Sequence, residues 1–385
     1  MRNYQICNRC IMDTTAQEIE FNDEGVCSFC TGYDKALGLY PQTPQEKQKK
    51  LAKEIDEIKK DGRKKRYDCI IGLSGGVDSS YLAYLVKELG LRALAVHVDT
   101  GWNSEIAVGN IENITKICDF DLQTIVVDWE EMKDLQRSFL LARLPNCDIP
   151  QDHVFMAALM RTARKEKIKH IISGHNYVTE FVLPVSWGFP SEDLVHIRDV
   201  HNQVSHNRIS RLPTWSHVQR SFADNLFVIK KHRFLNYMSY DKNEAKKVIA
   251  EKLKWRDYGG KHYESLFTRF FQSYYLPMTF GYDKRRAHLS NLVISGQMSR
   301  DRALAEIKKP LYDEQSILND IDYIKRKLEF SDEEFEYVMH GPRQRHQEYK
   351  TEKNSMWSKL RFDKLLRKYY GARMRIKKWI LDKGE

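Results

Sequence analysis

Through the first half of the chain, short continuous apolar runs alternate with longer stretches whose apolar residues recur every three or four positions. The runs at 69–73, 93–98 and 122–127 read as buried strands, and the stretches at 79–88, 103–118 and 130–141 as the helices that follow them. In the first of these helices Tyr81, Leu82, Leu85 and Leu89 are the packing positions. A further helix opens near residue 148, with Asp148 as its cap and Pro150 in its first turn, and carries Phe155, Ala158, Leu159 and Ala163. A fourth strand starts at His170. Regular β-α alternation with near-continuous apolar strands predicts an α/β fold, a parallel sheet with helices on both faces. Ligands of such sheets bind outside the carboxyl ends of the strands, so the turns that follow them are where chemistry is expected.

The flanks read differently. Residues 1–40 form a cysteine-bearing segment, and 41–65 a charged connector whose helical part, 44–60, sets Leu51, Ile55 and Ile58 on one face. The α/β domain is assigned to 66–190. Over 191–342 the pattern loosens into a mainly helical region, with helices at 242–254 and across 280–336. His196, His201, His206 and His217 fall there in a polar stretch read as loop, without metal-ligand spacing. Residues 343–385 form a basic tail, amphipathic over 352–381, which carries +9 of the formal net charge of +10. The remaining body is near neutral, which argues against a broad nucleic-acid surface. No run of eighteen apolar residues and no signal-peptide core are visible, so a soluble, cytoplasmic protein is expected.

Cys7 and Cys10 form one CxxC pair, Cys27 and Cys30 a second, sixteen residues apart. That spacing suits a four-cysteine Zn²⁺ site, and a full set of thiolates leaves no open position, so the metal is structural. A redox or sulfur-carrying CxxC is the functional alternative.

The tightest chemical signal is Ser74-Gly75-Gly76-Val77-Asp78-Ser79, followed by Ser80, a glycine turn between strand and helix. It aims free backbone N–H groups and the positive end of a helix at one point, where phosphate can sit. It is not a Walker A loop, because Asp78 stands where that loop has lysine. An aspartate there calls for Mg²⁺ between it and the phosphates. Asp99, at the end of the next strand, shares the rim, and adenine and ribose are expected between Asp99 and Trp102. Ser173-Gly174-His175-Asn176 follows the fourth strand; on its own His175 reads equally as a satisfied strand-end histidine or a catalytic one. Glu180 is a candidate second Mg²⁺ ligand. Further on, Lys261, His262, Glu264 and Arg269 cluster beside a Gly-Gly pair, suited to phosphate or carboxylate, or to the charged first turn of a helix. Residues 282–288 offer a similar corner, which a solvated helix face explains equally well.

The loop from Ser74 to Ser79 resembles the S-G-G-x-D-S loop of the PP-loop ATP pyrophosphatases. Those enzymes split ATP between the α and β phosphates, leave AMP on a carbonyl-type oxygen and replace that oxygen with nitrogen or sulfur. Ser173 to Asn176 resembles their G-H-N segment. Together with the cysteine segment and the stretches 255–262 and 280–286, these motifs resemble the N-acetyl sugar amidotransferases of bacterial surface-polysaccharide and flagellin-glycan pathways, from Cys7 to about Pro310. The resemblance implies ATP-dependent conversion of a sugar acetamido group to an acetamidino group. ATP would lie on Ser74 to Ser80, Asp99 and Gly174; Asp78, His175, Lys261 and His262 would be catalytic; Glu180, Glu264 and Arg269 would face the substrate. It also implies ammonia from a separate class-I glutaminase with a cyclase-like companion subunit, since no glutaminase constellation is visible; the basic tail is a candidate dock. A PP-loop tRNA thiolase is the alternative, requiring a reactive cysteine such as Cys118 or Cys147. A zinc-ribbon nucleic-acid binder with a decayed nucleotide domain is disfavoured by the intact loop.

Overall fold

The structure, a computed structural model, describes residues 3–220, 228–259 and 263–353. Strands β1 (Cys69–Gly72), β2 (Ala93–Asp99), β3 (Asp121–Val126), β4 (His170–Ile172) and β5 (Lys230–His232) form one parallel sheet in the order β3-β2-β1-β4-β5. At its centre Ile71 lies between Ala95 and Ile172. Alternation along the strands divides their side chains between two cores. Ile70, Leu94, Val96 and Ile171 pack with helices Trp129–Leu141 and Ile149–Lys165. Ile71, Ala93, Ala95 and Ile172 pack with Val77–Glu88, Glu105–Cys118 and Lys242–Leu253 on the other face. The central strands are thus buried on both faces, as their apolar runs predict.

The edges depart from that pattern. β3 alternates between exposed and half-buried residues and leaves Leu122 and Val126 in solvent, because an edge strand has one neighbour and here one covered face. β5 is a strand that no apolar run announces. It is held by pairing with β4 and by a chain of polar groups: Asp61 to His170, 3.2 Å; His170 to His232, 2.9 Å; His232 to Glu54, 2.8 Å. That chain ties the Pro44–Gly62 helix to the sheet. Two further expectations are corrected. His196 and His201 lie buried on a helix, Leu194–Val204, capped by Asp193, where a loop was expected. Asp148 occupies the expected cap position of Ile149–Lys165 but makes no capping bond; its carboxylate accepts from Gln151 (2.5 Å) and from the Thr268 hydroxyl (2.9 Å) instead. The expected amphipathic stretch of the tail, from residue 354 onward, lies outside the described residues.

The four N-terminal cysteines come together, fully buried, with Sγ atoms within 4.8 Å of one another. Neighbouring sulfurs are separated by 3.6–3.9 Å. A tetrahedron of thiolates about 2.3 Å from Zn²⁺ has edges of about 3.8 Å, so the cage fits that ion. Backbone N–H groups of Arg9, Cys10 and Cys27 point at the Cys7 sulfur, 3.2–3.4 Å away, which favours a thiolate. The segment is fastened to the helical region by Arg300, whose guanidinium donates to the Cys7 and Cys10 carbonyls, and by an Arg286–Asp13 ion pair of 2.9 Å. On its other side Tyr33 packs edge-on against Phe181 (5.3 Å) and Tyr40 against Tyr177 (4.8 Å). Stripping the metal with a chelator, or changing Cys30→Ser, is therefore expected to abolish binding of one zinc per chain and to lower the melting temperature. An unchanged melt after complete metal removal would show that the cage carries no fold.

Candidate active site

Strand order reverses between β1 and β4, and the turns that follow these two strands meet at the carboxyl rim. They meet backbone to backbone: a Cβ on Gly174 would lie 3.1 Å from the Asp78 carbonyl and 3.3 Å from the Ser79 nitrogen. Gly75 adopts φ +77°, and a Cβ there would sit 2.6 Å from the Ala107 carbonyl oxygen, so glycine is required twice over. The Gly75 carbonyl is turned outward, accepting from the Trp255 indole at 2.8 Å. Inside the turn the Gly76 N–H donates to Ser74 Oγ (3.2 Å) and Ser79 Oγ donates to the Gly76 carbonyl (3.1 Å). The helix begins at Val77, earlier than its apolar pattern suggests, with Gly76 as its N-cap and no side chain capping it. An uncapped helix start behind Gly75, which admits no Cβ, and Gly76, where a Cβ would be crowded, is a fitting cradle for nucleotide phosphates.

Two tyrosines that the sequence did not single out complete the surroundings. Tyr240, buried, donates to the Asp78 carboxylate. Burial first, and then the charges of Asp78 and Glu180, push its phenol up, so it stays a donor. Tyr258 sits over the cradle: its hydroxyl reaches the Val77 N–H, and it lies beside Glu264, whose charge adds to burial in raising the phenol. A Cβ on Gly76 would meet Glu264 Oε1 at 3.2 Å and the Tyr258 hydroxyl at 3.3 Å. Glu264 is delivered there by a short antiparallel pairing, in which the Ser104 N–H donates to the Glu264 carbonyl (2.9 Å) and the Leu266 N–H to that of Trp102 (3.0 Å).

The other expected residues divide. His175 Nδ1 lies 2.5 Å from Glu180 Oε2, at the mouth of the rim, and Glu180 shares Tyr240's neighbourhood with Asp78. Asp78 with Glu180 or Glu264 could therefore hold Mg²⁺, which would neutralise phosphate charge when bound. Asp99 is at the rim, but its Oδ1 accepts from the Gly101 N–H (2.8 Å) and Asn103 (3.0 Å), shaping the turn. Trp102 is turned inward, buried, with its indole on Gln136. Arg269 pairs with Asp320 through two contacts, 2.5 and 2.7 Å, tying two helices together. Lys261 and His262 lie outside the described residues. Cys118 and Cys147 are buried, and burial pushes the Cys118 thiol up to about 11 and raises Cys147 as well, the opposite of a reactive thiolate. An open groove of about 710 Å³ along Trp129–Leu141 has a different character. Its enclosed carboxylate, Glu131, is consumed by the backbone N–H groups of Ser210, Arg211 and Leu212.

Comparisons with known proteins agree with this geometry. Over 78 residues the chain is 40% identical to a tRNA(Ile)-lysidine synthase of Chlamydia pneumoniae, covering 19% of this chain and 24% of that one. Over 120 residues it is 29% identical to the tRNA-specific 2-thiouridylase MnmA 2 of Fusobacterium nucleatum, 29% of this chain and 34% of that one. The chain thus spans about a third or less of the length of these curated relatives. An NH3-dependent NAD synthetase from Campylobacter jejuni overlays with a TM-score of 0.33 at 12% identity, covering 79% of this chain and 99% of that one, too loosely to bear on function. In its loop, its parallel sheet and these partial relatives the chain is similar to the PP-loop ATP pyrophosphatases. Its residues 264–364 match the family model "LPS biosynthesis protein WbpG-like, C-terminal domain".

The packing at the two glycines yields an ordered expectation. Gly75→Ala combines a left-handed φ with a backbone collision and should cost about 1–3 kcal/mol of stability, read as a lower melting temperature. Gly174→Ala, pressing on Asp78 and Ser79, should weaken ATP binding at least tenfold with a smaller effect on the melt. Wild-type ATP affinity in a folded Gly174→Ala protein would show that this contact does not shape the cradle.

Proposed function

We propose that the chain is an ATP-dependent, AMP-forming amidotransferase that converts the acetamido group of an N-acetyl sugar into an acetamidino group, in the cytoplasm, for lipopolysaccharide O-antigen or flagellin-glycan assembly. The observation that carries this reading is where the WbpG-like segment begins. Its first residue, Glu264, stands against Gly76 of the phosphate cradle, so the part of the chain matched to lipopolysaccharide biosynthesis borders the part that would handle ATP.

The chemistry suits an amide. Its oxygen is a poor leaving group, and transfer of AMP to that oxygen turns it into a good one. The acetamido oxygen attacks the α-phosphorus, the bond to pyrophosphate breaks, and the cradle's N–H groups meet the charge that develops. Ammonia then forms a C–N bond at the activated carbon and AMP departs. Asp78 is held in a fixed orientation by Tyr240, and His175 by Glu180, facing the same rim. Lys261 and His262 belong to this reading through the family resemblance alone. In this reading Arg269 serves to join two helices through Asp320. Ammonia from a separate glutaminase, with its cyclase-like companion, keeps the nucleophile unprotonated and away from bulk water. The thiolase reading finds less support, because both of its candidate cysteines are sealed.

The test is incubation with ATP, Mg²⁺, ammonium and a panel of UDP-linked, CMP-linked and free N-acetyl sugars. Mass spectrometry should find a loss of about one mass unit, O replaced by NH, with AMP formed in equal amount. Glutamine should not replace ammonium for the isolated chain. AMP formation driven by tRNA and by no sugar in the panel would overturn the reading.

A further inference from the structure

The turn after β2, residues 99–104, adjoins the phosphate cradle. His97 Nδ1 donates to the carbonyl of Leu73, the residue before Ser74, at 2.9 Å, which leaves Nε2 to accept from Asn103 at 3.2 Å. Ala107, which blocks any side chain at Gly75, stands in the first turn of the helix that follows. The same turn is fastened to the WbpG-like segment twice. Residues 264–266 run antiparallel to 102–104 and share two backbone hydrogen bonds with them. The second fastening is Lys327, half-buried at the end of helix Glu314–Lys327. Its ammonium donates to the Gly101 carbonyl and lies 3.1 Å from the Tyr323 hydroxyl. Three ring centres surround it: Trp102 at 4.7 Å, Trp129 at 4.9 Å and Tyr323 at 5.3 Å. A cation set among three aromatic faces, with a carbonyl to donate to, is held in one place. Gly101 is fitted to that place, with φ +84° and room for no side chain, since a Cβ would lie 3.0 Å from the Trp129 ring.

We propose that Lys327 is a positioning residue for the nucleoside end of ATP, an assignment that rests on the ATP-dependent part of the reading above. With its phosphates in the cradle, the nucleotide has to extend over a neighbouring turn of the rim. The turn after β4 is pressed against the cradle's own backbone at Gly174 and carries the His175–Glu180 pair, so the turn after β2 is the neighbour left to it. There the Gly101 N–H is held by Asp99 (2.8 Å) and the Gly101 carbonyl by Lys327, so both faces of one peptide-bearing residue are fixed. Lys327 therefore acts through Gly101, giving the turn a single shape before the nucleoside arrives. Because the lysine belongs to the WbpG-like segment, that segment helps to bind ATP as well as bordering the cradle.

The test uses the full-length chain with two probes, Mg²⁺-ATP and inorganic tripolyphosphate, the second of which reports on the cradle without a nucleoside. Lys327→Met keeps the length and packs among the rings but cannot donate, whereas Lys327→Arg keeps both charge and donor. Lys327→Met should weaken ATP binding about tenfold or more and tripolyphosphate binding by less than about twofold. Lys327→Arg should recover most of the loss. In turnover with the most active sugar of the panel, Lys327→Met should raise the KM for ATP while kcat stays within about threefold of wild type. Unchanged ATP affinity in Lys327→Met, or equal loss for the two probes in a folded variant, would overturn the assignment and leave the ATP reading intact. Wild-type protein that binds neither probe would remove both.

Discussion

Close packing of backbone on backbone around residues 74–79 is the constraint on which the rest of this molecule depends. The Gly75 carbonyl is drawn outward by the Trp255 indole, Ala107 blocks any side chain at that residue, and Gly174 seats the far side of the turn against Asp78. These three contacts come from three different stretches of the chain and hold the turn from both sides. A phosphate cradle is built from orientation more than from side-chain chemistry, so its precision rests on how firmly its neighbours hold it. The same neighbours bring Tyr258 and Glu264 to the cradle's edge.

The cysteine segment, at the opposite end of the sequence, is joined to this site by packing. Tyr33 and Tyr40 lean on Phe181 and Tyr177, which flank Glu180, while Arg286 and Arg300 bind the same segment to the helices Lys284–Ile294 and Arg300–Ile307. A metal held by the four cysteines would do more than staple a short segment with little core of its own. It would join the Glu180 side of the rim to those two helices.

What could be read from sequence follows from how local each signal is. The central strands and the cradle were legible because each is a contiguous run with its own turn chemistry, and the four cysteines because their spacing states their geometry. β5 was hidden because its sequence is Lys-Lys-His and its stability lies in pairing with β4 and in a histidine-carboxylate chain. Tyr240 and Tyr258 escaped for a similar reason: a tyrosine far along the chain carries no mark that its hydroxyl will land on Asp78 or Val77. Arg269 beside glycines reads from sequence as an anion site, and its partner Asp320, fifty-one residues on, comes into view only in the fold. Asp148 was placed correctly at a helix start, but its carboxylate reaches across to Thr268 instead of capping its own helix.

Oxygen labelling bears most directly on the central claim, that ATP activates an amide oxygen for displacement by nitrogen. With an N-acetyl sugar carrying ¹⁸O in its acetamido carbonyl, turnover should place the label in the phosphate of the AMP released, one atom for each acetamidino group formed. Label retained in the sugar, released to water, or absent from AMP while the product accumulates would contradict adenylation of that oxygen and the mechanism built on it.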